Sequence, residues 1–266
     1  MFVCFLAGGS QVPYFLDESA DWAMTTANLD AAADKARAEG VTPRALCIIN
    51  PGNPTGHLIS DAQMQHLIEL AHRHDFIIAA DECYSEIYFS EQNRPSSLLA
   101  ASEAMGNKEF ERCVVFHSLS KRSNLPGLRS GFVAGDPGII EKFLLYRTYH
   151  GCAMGTHQQY ASTLAWQDET HVQENRALYQ EKFKAVTDIL QAHYDLRQPD
   201  GGFYHWLRTP IDDLSFSQRL LEQQHITVMP GTFLGRHSSE DENGGKVWVS
   251  PTDVEIDTDD KGRTTA

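Results

Sequence analysis

Along the first half of the chain, apolar residues come in short runs, each closed by a polar cluster. Residues 45–49 form one run, and Asn50-Pro51-Gly52-Asn53-Pro54-Thr55-Gly56 breaks it. Residues 76–80 form the next and end on Asp81. The run 113–116 ends on His117 and Ser118, and 131–134 is a further short one. Between the first two runs, Met64, Leu67, Ile68 and Ala71 recur at helical spacing, and Ser60 with Gln63 supplies a capping box. Strand and helix in alternation predict an α/β sheet, largely parallel and buried on both faces. Past Pro137 the pattern turns to helical stretches near 138–150, 156–168 and 172–194. Strand-like 202–207, a helix near 215–224 and strand-like 226–229 and 246–250 follow. The pattern predicts part of a large α/β domain over 1–165 and a smaller α+β domain over 166–250. A polar, acidic, aperiodic tail over 251–266 is expected to be disordered.

Composition narrows the function classes. Among 266 residues, 36 are acidic and 22 basic, a formal charge of −14, which argues against a nucleic-acid surface or an anionic membrane as partner. An anionic small molecule would need locally placed Arg or Lys. No apolar run reaches the roughly 20 residues of a membrane-spanning helix. The apolar opening, residues 1–7, lacks a basic leader and soon meets Asp17, Glu18 and Asp21, so it does not read as a signal peptide. The five cysteines, Cys4, Cys47, Cys83, Cys113 and Cys152, show no CxxC spacing and sit mostly in apolar surroundings. They read as reduced and buried, and the expected location is cytoplasmic. His72-Arg73-His74 is the nearest approach to a metal pair, but the polar end of a predicted helix makes it a solvated face, and no metal is expected.

Three polar clusters fall at the C-terminal ends of predicted strands, where open α/β sheets bind ligands. They are Asn53-Pro54-Thr55-Gly56, Asp81-Glu82-Cys83-Tyr84 and Ser118-Leu119-Ser120-Lys121, the last followed by Arg129 eight residues on. Each alone has an ordinary reading, as a turn, a cap or a surface lysine. Their order, spacing and shared position on the sheet carry the case for a site.

This series resembles the signature of fold-type-I pyridoxal 5'-phosphate (PLP)-dependent aminotransferases of class I/II, over about residues 1 to 250. The stretches 118–136 and 143–151 are similar to those of succinyldiaminopimelate aminotransferases. The resemblance implies amino transfer between glutamate and a 2-oxo acid, with N-succinyl-2-amino-6-oxoheptanedioate of lysine biosynthesis as substrate, in a homodimer. It makes Lys121 the Schiff-base lysine and proton shuttle. Asp81 would hold the pyridine nitrogen's proton, Asn53 and Tyr84 would donate to the 3'-oxygen, and Ser118, Ser120 and Arg129 would hold the phosphate. Asn50 and Cys83 read as structural. Gly231-Thr232-Phe233-Leu234-Gly235 matches a family loop near substrate, and a turn accounts for it equally.

The chain departs from the family pattern at both ends. By this resemblance, the family's N-terminal segment, with its Gly-rich phosphate loop and stacking aromatic ring, is expected to be missing from this chain. Where the family places an Arg that grips the substrate carboxylate, this sequence reads Val247-Trp248-Val249. Three alternatives stay open: another class I/II aminotransferase or a PLP β-lyase, a fragment without turnover, and a Ser-Lys hydrolase built on Ser118 and Lys121.

Overall fold

The computed structural model describes residues 8, 9, 12, 25–151, 153–194, 196–234 and 246–249. The expected tail over 251–266, the opening segment 1–7, and Cys4 and Cys152 lie outside these residues. The described chain contains eight α-helices and seven strands. In order they are α1 (Thr26–Ala38), β1 (Ala45–Ile49), α2 (Asp61–His74), β2 (Ile77–Asp81), α3 (Leu98–Ala104), β3 (Cys113–Ser118) and α4 (Leu119–Arg122). Then come β4 (Gly131–Gly135), α5 (Pro137–Tyr149), α6 (Thr156–Gln167), α7 (Thr170–Leu190) and β5 (His205–Arg208). The last are α8 (Asp213–Gln224), β6 (Met229–Pro230) and β7 (Lys246–Val249).

Two sheets result. The first has the order β1-β2-β3-β4, with parallel pairing from β1 to β3 and β4 antiparallel to β3. The second has the order β5-β7-β6, with both pairings antiparallel. The predicted capping box is present: Ser60 Oγ accepts the Gln63 N–H, and Gln63 Oε1 accepts the Ser60 N–H at 2.9 Å. The apolar stripe behind it, Met64, Leu67, Ile68 and Ala71, is buried against Ile48, Ile78, Ala80 and Val115 of the first sheet.

The expectation that this sheet is buried on both faces holds only in part: on the face away from α2 and α3, Val114 is buried and Ile77 and Ala79 are half-buried. Side chains alternate across a strand, and α2 and α3 pack on one face only. The other face leaves Cys47 exposed, Ile49 40% exposed and Phe116 39% exposed. Cys113 is buried and Cys83 half-buried, so the reading of the cysteines as mostly buried holds for Cys113 and fails for Cys47. His74 corrects a second expectation. Its side chain is only 12% exposed, with Nε2 2.7 Å from Asp30 and Nδ1 2.8 Å from Arg37 Nη1. A guanidinium can only donate, so the ring proton sits on Nε2 and points at Asp30. His74 thus ties α2 to α1 and does not face solvent.

The strand expected over 202–207 begins three residues later. Gly201 instead bridges to Tyr88 beside the first sheet, and the chain bends through 202–204 before β5. His205, the first residue of β5, is fully buried. It packs 4.5 Å from the Phe183 ring, with neither ring nitrogen partnered among the described residues. Burial pushes its pKa down from the ordinary 6.5 to about 4. The unfolded chain takes up this proton near pH 6.5 and the folded chain only near pH 4, so stability falls on acidification through that window. The loss should total about 3 kcal/mol. Urea unfolding at pH 7.5 and 4.5 should show it, and His205→Leu should flatten that part of the profile.

Candidate active site

Each predicted site residue except Arg129 sits where a strand of the first sheet gives way to a loop or a helix; Arg129 lies just ahead of β4. Asn53 lies in the loop after β1. This loop is pinned from within by Asn50, fully buried, whose amide donates to the Ser96 carbonyl at 2.8 Å and whose carbonyl accepts the Ile59 N–H at 2.9 Å. Asn50 is structural, as its sequence position suggests. Gly56 closes the loop at φ +68°, and its carbonyl accepts the N–H groups of Asp200 and Gly201. A Cβ there would lie 2.4 Å from Pro199 Cβ and 2.5 Å from the Gly201 carbonyl, so only glycine lets the two loops meet.

That meeting brings Phe203 and Tyr204 to the site. Lys121 Nζ lies 4.2 Å from the centre of the Phe203 ring and 5.7 Å from that of Tyr84. The Tyr204 hydroxyl is 3.5 Å from the Tyr84 hydroxyl, which also accepts from Asn53 Nδ2 at 3.3 Å. Sequence reasoning missed Phe203 and Tyr204. The one available signal was Gly201-Gly202, a break immediately ahead of two aromatic residues.

Electrostatics follow from this burial. Desolvation lowers the Lys121 pKa, with the Cys83 thiol acting weakly in the opposite sense, so the free amine is favoured over its ordinary state. Burial raises the Tyr84 pKa, which keeps the hydroxyl protonated and able to donate. Asp81 ends β2 on the half-open face, opposite to Ile78 and Ala80, and accepts the Cys83 N–H at 3.0 Å. Burial first, and then a hydrogen bond to Asp81, push the Cys83 thiol up to about 12. Cys83 therefore faces the site as a neutral donor to Asp81, a contact its sequence position does not announce.

Ser118 caps the four-residue α4, accepting the Ser120 N–H at 3.0 Å. Its Oγ also lies 2.8 Å from Ser120 Oγ and 3.2 Å from the Ser130 carbonyl. The two serine hydroxyls are thus brought together. Arg129 sits at φ 54°, exposed, with Nη1 donating to the Pro126 carbonyl at 2.9 Å. The structure therefore joins Asn53 to Tyr84 and Ser118 to Ser120, and turns the Arg129 guanidinium toward its own loop.

A further polar pair is ruled out as a hydrolytic centre. Ser85 Oγ lies 2.9 Å from His117 Nε2, but the Ser118 N–H donates to His117 Nδ1 at 2.8 Å. The ring proton is then on Nε2 and points at Ser85, so this imidazole cannot remove the serine proton. Among the described residues no cluster of three or more His, Cys, Asp or Glu is placed to hold a metal ion.

PLP fits the chemistry present. A half-buried amine with a depressed pKa would hold its aldehyde, and a strand-end carboxylate its pyridine nitrogen. A protonated phenol with an amide N–H would meet its 3'-oxygen, and paired hydroxyls its phosphate.

Comparison with known proteins agrees. The family described as aminotransferase class I and II matches residues 3–257. An LL-diaminopimelate aminotransferase of Nitratidesulfovibrio vulgaris is 32% identical over 189 residues, 70% of this chain and 47% of that protein. The 4-dedimethylamino-4-oxo-anhydrotetracycline transaminase OxyQ of Streptomyces rimosus is 31% identical over 187 residues, 70% of this chain and 51% of that protein. A crystal structure of an aminotransferase from Neisseria meningitidis aligns with a TM-score of 0.78 at 40% identity, covering 94% of this chain and 62% of that one. The chain spans about half the length of the curated relatives it matches. It belongs to the class I and II aminotransferases, a family of PLP-dependent fold.

Proposed function

We propose that this chain carries the cofactor lysine of an aminotransferase that moves an amino group between glutamate and a 2-oxo acid. The observation that bears most of the weight is Lys121, an amine made less basic by burial, at the end of β3 beside the Asp81 strand end. PLP, when bound, supplies the electron sink; the protein supplies position and protons. Lys121 holds the cofactor and then carries the proton removed from the substrate α-carbon. Asp81 keeps a proton on the ring nitrogen. Asn53 and Tyr84 donate to the 3'-oxygen, while Ser118 and Ser120 hold the phosphate, joined by Arg129 once its guanidinium leaves the Pro126 carbonyl.

For the acceptor we propose a long dicarboxylic 2-oxo acid, N-succinyl-2-amino-6-oxoheptanedioate. The relatives named for LL-diaminopimelate support this class, whereas others named for aspartate and aromatic amino acids keep other acceptors as the second reading. The division into parts at 165/166 and assembly as a homodimer belong to the same proposal. Helix α5 supports the dimer, since it buries none of its residues and leaves Leu144, Leu145 and Tyr149 at 66%, 60% and 84% exposure. Free thiols at Cys47, Cys83 and Cys113 support a cytoplasmic setting. No helix among the described residues is long and apolar enough to cross a membrane.

The test is a half-reaction with the PLP-loaded chain. Glutamate should yield 2-oxoglutarate in stoichiometric amount, and release of pyruvate and ammonia from a β-substituted amino acid would favour a β-lyase instead. Trp248 on β7, paired in register with Trp206 on β5, stands where the family's carboxylate-binding Arg is expected. A guanidinium fork pairs with a carboxylate in a way an indole cannot. Trp248→Arg should therefore lower the glutamate concentration for half-saturation by about tenfold, ~1.4 kcal/mol. Unchanged saturation would remove Trp248 from the substrate site.

A further inference from the structure

Helix α4 carries Lys121, yet it is four residues long, and a single isolated turn is not stable in water. Its direction must be imposed by tertiary contacts, and these converge from the bend between α6 and α7. Arg122 is only 4% exposed. Its Nη1 donates to the Ala165 carbonyl at 2.9 Å, its Nη2 pairs with Glu169, and its guanidinium lies 5.0 Å from the centre of the Trp166 ring. The next residue, Ser123, has Oγ 2.8 Å from His171 Nε2, and His171 Nδ1 is 2.8 Å from Asp168 Oδ2. Asn175 Nδ2 reaches the carbonyl of Lys121 itself at 3.4 Å. Past Arg129, the buried hydroxyls of Ser130 and Ser162 meet at 2.5 Å, joining that segment to α6 as well.

A buried guanidinium is costly to desolvate, and an apolar side chain of similar volume would pack α4 at least as well. What the charged network adds is direction. Successive side chains on a helix diverge by about 100°. Fixing Arg122 toward the α6–α7 bend therefore fixes Lys121 away from it, over the rings of Tyr84 and Phe203.

We propose that Arg122 is a positioning residue: by clamping α4 to the α6–α7 bend it aims the Lys121 amine at the cofactor. The inference rests on the reading of Lys121 as the attachment point. It adds that the residue following the lysine, whose own contacts are with Ala165, Trp166 and Glu169, sets how often that amine is in place. Glu169, Trp166 and the Ala165 carbonyl hold Arg122, and the Asp168–His171–Ser123 chain holds the end of the turn.

The experiment compares wild type, Arg122→Met, Arg122→Lys and Glu169→Gln in the full chain. Bound PLP is measured by equilibrium dialysis, and the fraction fixed on Lys121 by borohydride reduction and peptide mapping. Without cofactor, competitive acetylation across pH gives the titration midpoint and reactivity of Lys121. Arg122→Met should lower the fraction of bound PLP fixed on Lys121 by about tenfold. It should also raise the Lys121 midpoint, because an amine that swings off the rings regains water. Arg122→Lys should fall between, restoring the charge without the fork. Glu169→Gln changes a carboxylate that is 63% exposed, so the fold is kept; it should shift both readouts the same way, by about two- to threefold. A fixed fraction and a midpoint unchanged in Glu169→Gln and Arg122→Met would overturn the proposal. So would a loss of dialysis binding and thermal midpoint in Arg122→Met with Glu169→Gln unchanged, since that marks a merely structural role. If wild type takes no label at Lys121, the functional reading fails; if wild type and variants label equally, only this inference fails.

Discussion

Replacing Lys121 with alanine should lower amino transfer from glutamate by about 10⁴-fold or more, ~5.5 kcal/mol in the barrier. The side chain has two tasks, and alanine removes both. On the proposed reading it would hold the cofactor covalently, and it would carry a proton that its neighbours among the described residues are poorly suited to carry. Asp81 lies on the neighbouring strand, and the Tyr84 hydroxyl is kept protonated by burial. Cys83, with its thiol pushed up to about 12, is no base at neutral pH. Single-turnover measurement of 2-oxoglutarate formation is the check, with PLP binding followed separately. Rates within tenfold of wild type would remove Lys121 from the chemistry.

The second large effect is expected at Asp81. Asp81→Asn keeps the size of the side chain and a carbonyl oxygen for the Cys83 N–H, so the strand end should survive. It loses the negative charge that, on the proposed reading, would keep a proton on the pyridine nitrogen, and without that proton the ring would be a poor electron sink. The rate should fall by about 10³, ~4 kcal/mol, with bound PLP reduced far less. The comparison of kcat/KM with cofactor affinity separates loss of chemistry from loss of binding. Near-normal transfer by this variant would refute the assignment.

Much of this site was legible in the chain. Asn53, Asp81 and Lys121 follow strands whose apolar runs are unmistakable, and a strand end is where such sheets present side chains. The helix over Asp61–His74 announced itself by cap and stripe together. What stayed hidden depends on contacts between distant segments. Phe203 reaches Lys121, and Tyr204 reaches Tyr84, because Gly56 admits the turn at Pro199, and no local pattern encodes a meeting across 80 or so residues of sequence. Arg122 has no apolar pattern around it that signals burial, yet it is buried by a bend more than 40 residues further on. His74 sits at a helix end that looks polar, and Asp30 makes it internal. Helix α1 has weak periodicity and many alanines, so its faces are poorly distinguished in sequence. Period-2 patterning likewise could not tell that one face of the first sheet is left partly open at Cys47, Ile49 and Phe116, because residues of both faces are apolar.

The central claim, that Lys121 is where PLP attaches, is tested most directly by borohydride reduction of the PLP-treated 266-residue chain and peptide mapping. The account predicts one pyridoxyl group per chain, on the peptide containing Lys121, and none on that peptide in Lys121→Ala. Pyridoxyl on Lys142 or Lys182, with Lys121 unmodified, would contradict it.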